Sequence, residues 1–290
     1  MKTNRVFFFR FLSIAFFAVI SAQLQSAHAS QIVKSQRAIV SLSPAATEWI
    51  YALGLGERLV GVTEQCDFPR EALSVAKVGS FMNSSVERIL SLGATDVVST
   101  ESLPTLLKKK LDRARIRVHI FAPDRLDGFP RGIELLGAQL DSRNRGVELA
   151  REFATALKLE RMNRDIKSNL GKSSLIFVSA QPVFVASPHT WLSDVFVLAG
   201  FSNSFPVAMS DVAFPRVSIE SLARIPSEYW FVFSDRLRDE QEFLASYDRL
   251  KKKLGSRYAK AKTVVLPADI FQRPGPRLKD AFLLLRRELK

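Results

Sequence analysis

From about Phe129 to Leu170 this 290-residue chain offers no candidate β-strand and, after Pro130, no proline. Within that stretch Ile133, Leu136, Leu140, Val147, Ala150, Phe153, Ala154 and Leu157 recur near the 3.6-residue period of a helix with one apolar face. The flanks read differently. Short runs rich in β-branched and aromatic residues alternate there with helical patterns: Arg37–Leu42, Leu59–Thr63, Asp96–Thr100 and Arg117–Phe121 before it, Ser174–Ser179, Tyr229–Ser234 and Thr263–Leu266 after it. Alternating strands and helices build parallel sheets covered by helices, and a strand-free stretch in mid-chain separates two of them. The expectation is an α/β protein of two Rossmann-like lobes with mainly parallel sheets, residues 30–128 and 171–290. A long rigid helix over residues 129–170, with a break allowed near Asp141–Arg145, would join them.

An internal echo supports two lobes. Ser85-Val86-Glu87-Arg88-Ile89-Leu90-Ser91-Leu92 before Asp96-Val97-Val98 aligns with Ser218-Ile219-Glu220-Ser221-Leu222-Ala223-Arg224-Ile225 before Tyr229-Trp230-Phe231. Each is a capped helix, a break at Gly93 or Pro226, and a buried strand. Recurrence of one unit in both halves is what a bilobed chain would show, with a ligand site between the lobes. Taken alone, Ser84-x-x-Glu87 reads as a capping box, and Glu220 as a first-turn carboxylate favoured by the helix dipole.

The first 29 residues have the layout of a cleavable secretory signal: Lys2, Arg5 and Arg10, an apolar stretch Phe11–Ala22, and the small-x-small site Ala27-His28-Ala29. About 12 apolar residues are too few for a hydrocarbon core that needs roughly 20. The expected location is therefore the periplasm. The single cysteine, Cys66, lies too far along to be a lipidated first residue, and it leaves no internal disulfide. Core burial must supply the stability, and about 260 remaining residues can bury roughly 70–75% of their unfolded surface. Loss of the leader lowers 42 Lys and Arg to 39 against 29 Asp and Glu, so the formal net charge falls from +13 to +10. The basic residues are scattered, with only the short runs Lys108–Lys110 and Lys251–Lys253, and no nucleic-acid motif accompanies them. A solvated basic face, without a nucleic-acid partner, is the expectation.

The segment Val40-Ser41-Leu42-Ser43-Pro44-Ala45-Ala46-Thr47-Glu48 reads as a strand running into a helix, with Ser43 as N-cap and Pro44 at the first helical position. Its backbone N–H groups would face the carboxyl end of a strand, where open α/β sheets bind ligands. This segment, with Val60-Gly61-Val62-Thr63, Cys66-Asp67-Phe68-Pro69, Val78-Gly79-Ser80-Phe81 and Val86-Glu87-Arg88-Ile89-Leu90, resembles the cobalamin-binding branch of the periplasmic binding proteins of ABC importers. The resemblance returns at Phe214-Pro215-Arg216-Val217-Ser218-Ile219-Glu220 and Phe271-Gln272-Arg273-Pro274-Gly275-Pro276-Arg277.

The resemblance implies a cleft lined by aromatic rings that pack on a flat macrocycle, at positions held here by Phe81, Phe184 and Phe214. Gln272 and Arg273 match a Glu-Arg pair that reaches polar groups at the ligand edge, and Arg273 keeps a donor fork. Glu87 and Glu220 match glutamates that dock onto arginines of the permease subunits. The bound ligand would be cobalamin or another large chelate, the protein a monomer without a cofactor or catalysis. The sequence departs from the cobalamin pattern at Gln65, where relatives often carry Tyr, at Thr100, where a Trp is usual, and at Gln272.

Rival readings make distinct demands. A zinc or manganese binder needs a His and carboxylate cluster, whereas beyond the leader only His119 and His189 occur, well separated; His189 falls in the loop after Phe184. Haem-binding relatives often supply an axial tyrosine where Phe81 stands. A ferric-siderophore binder would use aromatic rings with Arg216 and Arg273. An exported α/β hydrolase would need a Gly-x-Ser-x-Gly elbow, which is missing. Leu170-Gly171-Lys172-Ser173 resembles the end of a phosphate loop, but Ile166 stands where its first glycine is required.

Overall fold

A computed structural model of the chain describes residues 37–162, 169–209, 212–234 and 240–289. The expected leader lies outside the described residues. In the N-terminal lobe, β1 (Ile39–Ser41), β2 (Leu59–Val62), β3 (Asp96–Ser99) and β4 (Arg117–Ile120) form a parallel sheet in the order β2-β1-β3-β4. Three helices connect them: α1 (Pro44–Ala52), α2 (Val86–Ser91) and α3 (Thr105–Arg113). All four residues of β3 are buried, as in a central parallel strand covered on both faces.

The mid-chain segment expected as one helix is a hairpin of two, α4 (Phe129–Gln139) and α5 (Arg143–Met162). The chain reverses at Asp141, whose φ of 61° is left-handed. Two glycines permit the close approach: a Cβ on Gly137 would lie 2.8 Å from the Gly146 Cα. Phe129 and Phe153 then stack across the hairpin with ring centroids 5.0 Å apart and planes at 8°. The break anticipated near Asp141–Arg145 is thus a reversal rather than a kink, and α5 alone, 20 residues or about 30 Å long, is the extended rod.

The C-terminal lobe contains β5 (Ser173–Ala180), β6 (Val183–Val185), β7 (Ser202–Asn203), β8 (Tyr229–Ser234) and β9 (Lys262–Pro267). The order is β6-β5-β8-β9, with β7 paired to the start of β5. β5, β7, β8 and β9 run parallel, and β6 is antiparallel to β5. Its helices are α6 (Trp191–Leu198), α7 (Ile219–Leu222), α8 (Glu240–Leu254), α9 (Ser256–Ala259), α10 (Ala268–Phe271) and α11 (Leu278–Glu288).

One apolar cluster runs through both lobes. It passes from Ile39 and Trp49 through Phe129, Ile133, Phe153 and Leu157 to Ile176, Phe196, Phe231, Phe271 and Phe282. The hairpin contacts a tryptophan on each side: Phe153 faces Trp49 at 6.4 Å and Phe129 faces Trp191 at 6.3 Å. Polar ties follow the same line. Arg125 Nε donates to Asp194 at 2.9 Å, the Leu126 amide donates to the same carboxylate at 3.0 Å, and Arg286 of α11 pairs with Glu160 of α5. Burial on this scale makes relative movement of the lobes costly, since each ring exposed forfeits about 1.5–3 kcal/mol.

Candidate functional site

Several of the residues singled out from the sequence follow the carboxyl ends of strands: Ser43 after β1, Gln65 after β2, and Gln272 and Arg273 after β9. At the end of β1, Ser43 caps α1 as expected: its Oγ accepts from the Ala46 amide at 3.3 Å, and Pro44 follows. The helix N-terminus is nevertheless closed by the chain itself. Ser43 Oγ also accepts from the Thr100 amide at 3.2 Å and bonds the Thr100 hydroxyl at 2.9 Å, and Ser43 and Thr100 are both buried. The expected open cradle of N–H groups is therefore not offered here.

The loop after β2 presents Gln65, Asp67 and Phe68 to solvent while Cys66 is buried beneath them, its Sγ 3.1 Å from the Thr63 hydroxyl. The Glu64 amide donates to Gly79 O at 3.1 Å, which joins this loop to the turn carrying Phe81. Gly79 has φ 102°, and a Cβ there would lie 2.5 Å from Asn83 O, so the turn requires glycine. Phe81 is half-buried and packs on the lower N-lobe core of Val40, Leu42 and Val78. It was expected to face a cleft, and the part of the ring that does not pack on this core remains exposed.

In the C-terminal lobe, Phe184 lies in β6 and faces Arg216 in an antiparallel bridge. The flanking bonds, Val185 N to Pro215 O at 3.3 Å and Val217 N to Val183 O at 3.0 Å, make this the closely spaced type of pair, with both side chains on one face. Val183, Val185 and Val217 are buried on the other face. Phe214, two residues before Arg216, is 37% exposed. Among the described residues Arg216 has no ionic partner.

Gln272 follows α10 at the end of β9. Its Nε2 donates to Val178 O at 3.0 Å, which sets it at the rim of a cavity of about 620 Å³ at the ends of β5, β8 and β9, with Ser179, Gln181, Phe243 and Arg249. Arg273, expected to reach a ligand, is already engaged. Its Nη1 and Nη2 donate to the two oxygens of Asp67 at 2.6 and 3.3 Å, and Nη1 lies 3.5 Å from Glu48. Arg277 Nε and Nη2 donate to Glu48 at 2.9 and 2.6 Å, Nη1 donates to Asp269 at 2.8 Å, and its guanidinium lies 4.1 Å over the Phe68 ring. Trp49 Nε1 donates to Pro274 O at 2.8 Å, and Gly275 passes so close to α1 that a Cβ would sit 2.8 Å from Glu48 Oε2. The C-terminal loop is thereby stapled to the N-terminal lobe. Glu48, Asp67 and Arg277 were present in the matched segments, but no local signal distinguished them: their partners lie 206 and 229 residues away.

The electrostatics follow the geometry. Burial pushes the Asp67 carboxyl up, yet the hydrogen bond and charge of Arg273 outweigh it and hold the pKa below the ordinary aspartate value. Burial disfavours the charged form of Arg273 and Arg277, and in each case the carboxylates more than offset it, raising the pKa.

Glu87 and Glu220 stand exposed at equivalent places, each two residues after a serine N-cap. Ser85 Oγ accepts from the Arg88 amide and Ser218 Oγ from the Ser221 amide, at 3.2 and 3.1 Å. The capping box read from Ser84 is not formed, because Ser84 donates its hydroxyl to Ser80 O at 2.7 Å and Ser85 takes the cap. Both glutamates have pKa values lowered first by their own backbone amides and then by the cap serine, with Lys110 adding to the effect at Glu87. His189 is exposed in a turn, and His119 is a satisfied core residue whose Nε2 lies 2.7 Å from Asp96. Among the described residues, no group of three or more His, Cys, Asp or Glu could hold a metal ion.

Two α/β lobes about a helical hairpin, tied together by the Arg273–Asp67 and Arg277–Glu48 pairs, have the architecture of a two-lobed binding protein. Residues 39–264 match the Periplasmic binding protein family, and the chain belongs to that family. It is 30% identical over 208 residues to the vitamin B12-binding protein of Vibrio parahaemolyticus, covering 70% of this chain and 72% of that one. Against the vitamin B12-binding protein of Vibrio cholerae it is 29% identical over 244 residues, covering 84% and 85%. The crystal structure of the periplasmic vitamin B12-binding protein of Vibrio cholerae superposes with a TM-score of 0.71 at 27% identity, covering 87% of this chain and 96% of that one. A periplasmic haem-binding protein from Pseudomonas aeruginosa has the same fold, with a TM-score of 0.73, 24% identity and coverage of 86% and 91%.

Proposed function

We propose that this protein is the periplasmic capture component of an ABC importer, that it binds cobalamin or a related corrinoid between its lobes, and that it delivers the ligand to the permease. The observation that carries the reading is the 29% identity to a vitamin B12-binding protein over 84% of the chain. That span takes in segments from both lobes. Phe184 and Phe214 supply rings for a flat macrocycle, with the exposed part of Phe81 opposite; Gln65, Gln272 and Arg273 stand at the edge. Glu87 and Glu220, one exposed carboxylate per lobe, would dock on permease arginines. The protein acts as a monomer, without catalysis and without a nucleic-acid partner. Because the hairpin and one apolar cluster join the lobes, closure around the ligand is slight.

A second reading, a ferric siderophore as ligand, is favoured by Arg216, a cation beside Phe184 without an ionic partner among the described residues. Haem fits less well, because Phe81 cannot ligate iron. Titration calorimetry of the purified protein with cobalamin and with a ferric siderophore separates the two. Saturable 1:1 cobalamin binding is expected; siderophore binding with no cobalamin heat would overturn the corrinoid assignment and keep the capture role.

A further inference from the structure

The Asp67–Arg273 pair joins one edge of each lobe at the carboxyl ends of β2 and β9, where this architecture receives ligands. Its two members are unequally presented. The Asp67 side chain is 56% exposed and that of Arg273 is 18% exposed, so a ligand entering from solvent meets the carboxylate before the guanidinium. Arg273 and Arg277 together face three carboxylates, Glu48, Asp67 and Asp269, at 2.6 to 3.5 Å. These five groups carry two positive and three negative charges, and the most exposed of the Arg273 partners is the Asp67 carboxylate.

The hydrogen-bond inventory points the same way. A guanidinium has five N–H donors, and Arg273 hydrogen-bonds through only two, both to Asp67; its Nε has no partner among the described residues. An ionised carboxylate accepts but does not donate. The pair therefore offers one unused donor side and one acceptor side next to each other. A primary amide matches both, with its carbonyl accepting from Arg273 and its NH₂ donating to Asp67. A carboxylate on the ligand matches only the first and meets Asp67 as a like charge.

We infer that Asp67 is a specificity-determining residue. With Arg273 it reads an uncharged primary amide at the ligand edge and rejects a carboxylate at the same place. This deepens the corrinoid reading and rests on it, since the corrin periphery carries primary amides. Arg273 thereby acts as half of an amide reader.

The test compares cyanocobalamin with cobalamin monocarboxylates, in which one peripheral amide is hydrolysed to the acid, on the wild-type protein and Asp67→Asn and Arg273→Gln variants. The wild type is expected to prefer the amide over at least one monocarboxylate isomer by at least about tenfold. Asp67→Asn should collapse that ratio towards unity by strengthening acid binding, and Arg273→Gln, which leaves Asp67 unopposed, should widen it. A merely structural staple would lower the melting temperature of both variants and leave the ratio alone, and an unchanged ratio overturns the inference. If the wild type binds no corrinoid, the functional reading falls by itself. The same variants are then titrated with an anionic ferric siderophore, where Asp67→Asn must tighten binding at least about tenfold for the charge filter to stand; no tightening overturns it.

Discussion

Replacing Arg277 by Gln tests how the C-terminal loop holds the lobes together. In the folded protein Arg277 donates to both Glu48 oxygens at 2.9 and 2.6 Å, and the Glu48 side chain is 1% exposed. The substitution strands a carboxylate that has lost its water and its main partner. Breaking a buried pair from one side costs about 3–5 kcal/mol. Arg273, whose Nη1 lies 3.5 Å from Glu48, compensates in part. The low end, about 3 kcal/mol, is therefore expected. That is a large share of the roughly 5–15 kcal/mol by which a folded domain exceeds its unfolded chain. Adding Glu48→Gln removes the stranded charge, so the double variant should recover about 1–2 kcal/mol relative to the sum of the single losses. Equilibrium urea unfolding at neutral pH, with both single variants and the double, measures each term. A loss below about 1 kcal/mol for Arg277→Gln, or strict additivity, refutes the argument that this pair is a buried inter-lobe staple.

Phe153→Ala should cost about 3–5 kcal/mol in the same unfolding assay, because Phe153 is 3% exposed, stacks on Phe129 and faces Trp49. Phe214→Ala should weaken corrinoid affinity by about tenfold in calorimetry while leaving the melting temperature unchanged, since the ring is 37% exposed. Replacing both Glu87 and Glu220 by Ala should impair uptake in vesicles carrying the importer and leave ligand affinity intact; reduced affinity with normal uptake would assign them to the cleft. Their backbone amides hold both pKa values below the ordinary glutamate value of 4.5. If these carboxylates dock, uptake should be insensitive to them at neutral pH and should fall as pH drops below about 5 through the lowered pKa values.

Local periodicity decided a great deal. The strand-forming runs at Asp96 and Tyr229 begin strands β3 and β8 at those residues, because a parallel strand buried on both faces is a largely continuous apolar run whatever surrounds it, and the run at Arg117 begins the half-exposed edge strand β4. β6 escaped, since Val183–Val185 is three residues long and pairs antiparallel against β5, a contact set by its neighbour instead of its own pattern. Of the hairpin, the place of the break was legible and the reversal was not. The apolar period continues through Leu140 to Val147, and the reversal depends on the left-handed Asp141 and on Gly137 meeting Gly146, neither of which leaves a mark on periodicity.

The site divides along the same line. The sequence carried the serine caps, because caps act within three residues and their chemistry is local: Ser43, Ser85 and Ser218 each accept from the amide three residues on. Whether Arg273 is available to a ligand was decided only when the tertiary fold placed Asp67 against it from 206 residues away. Charge pairing depends on distance in space, and a linear sequence does not encode that distance until the core has brought both ends of the chain to one edge.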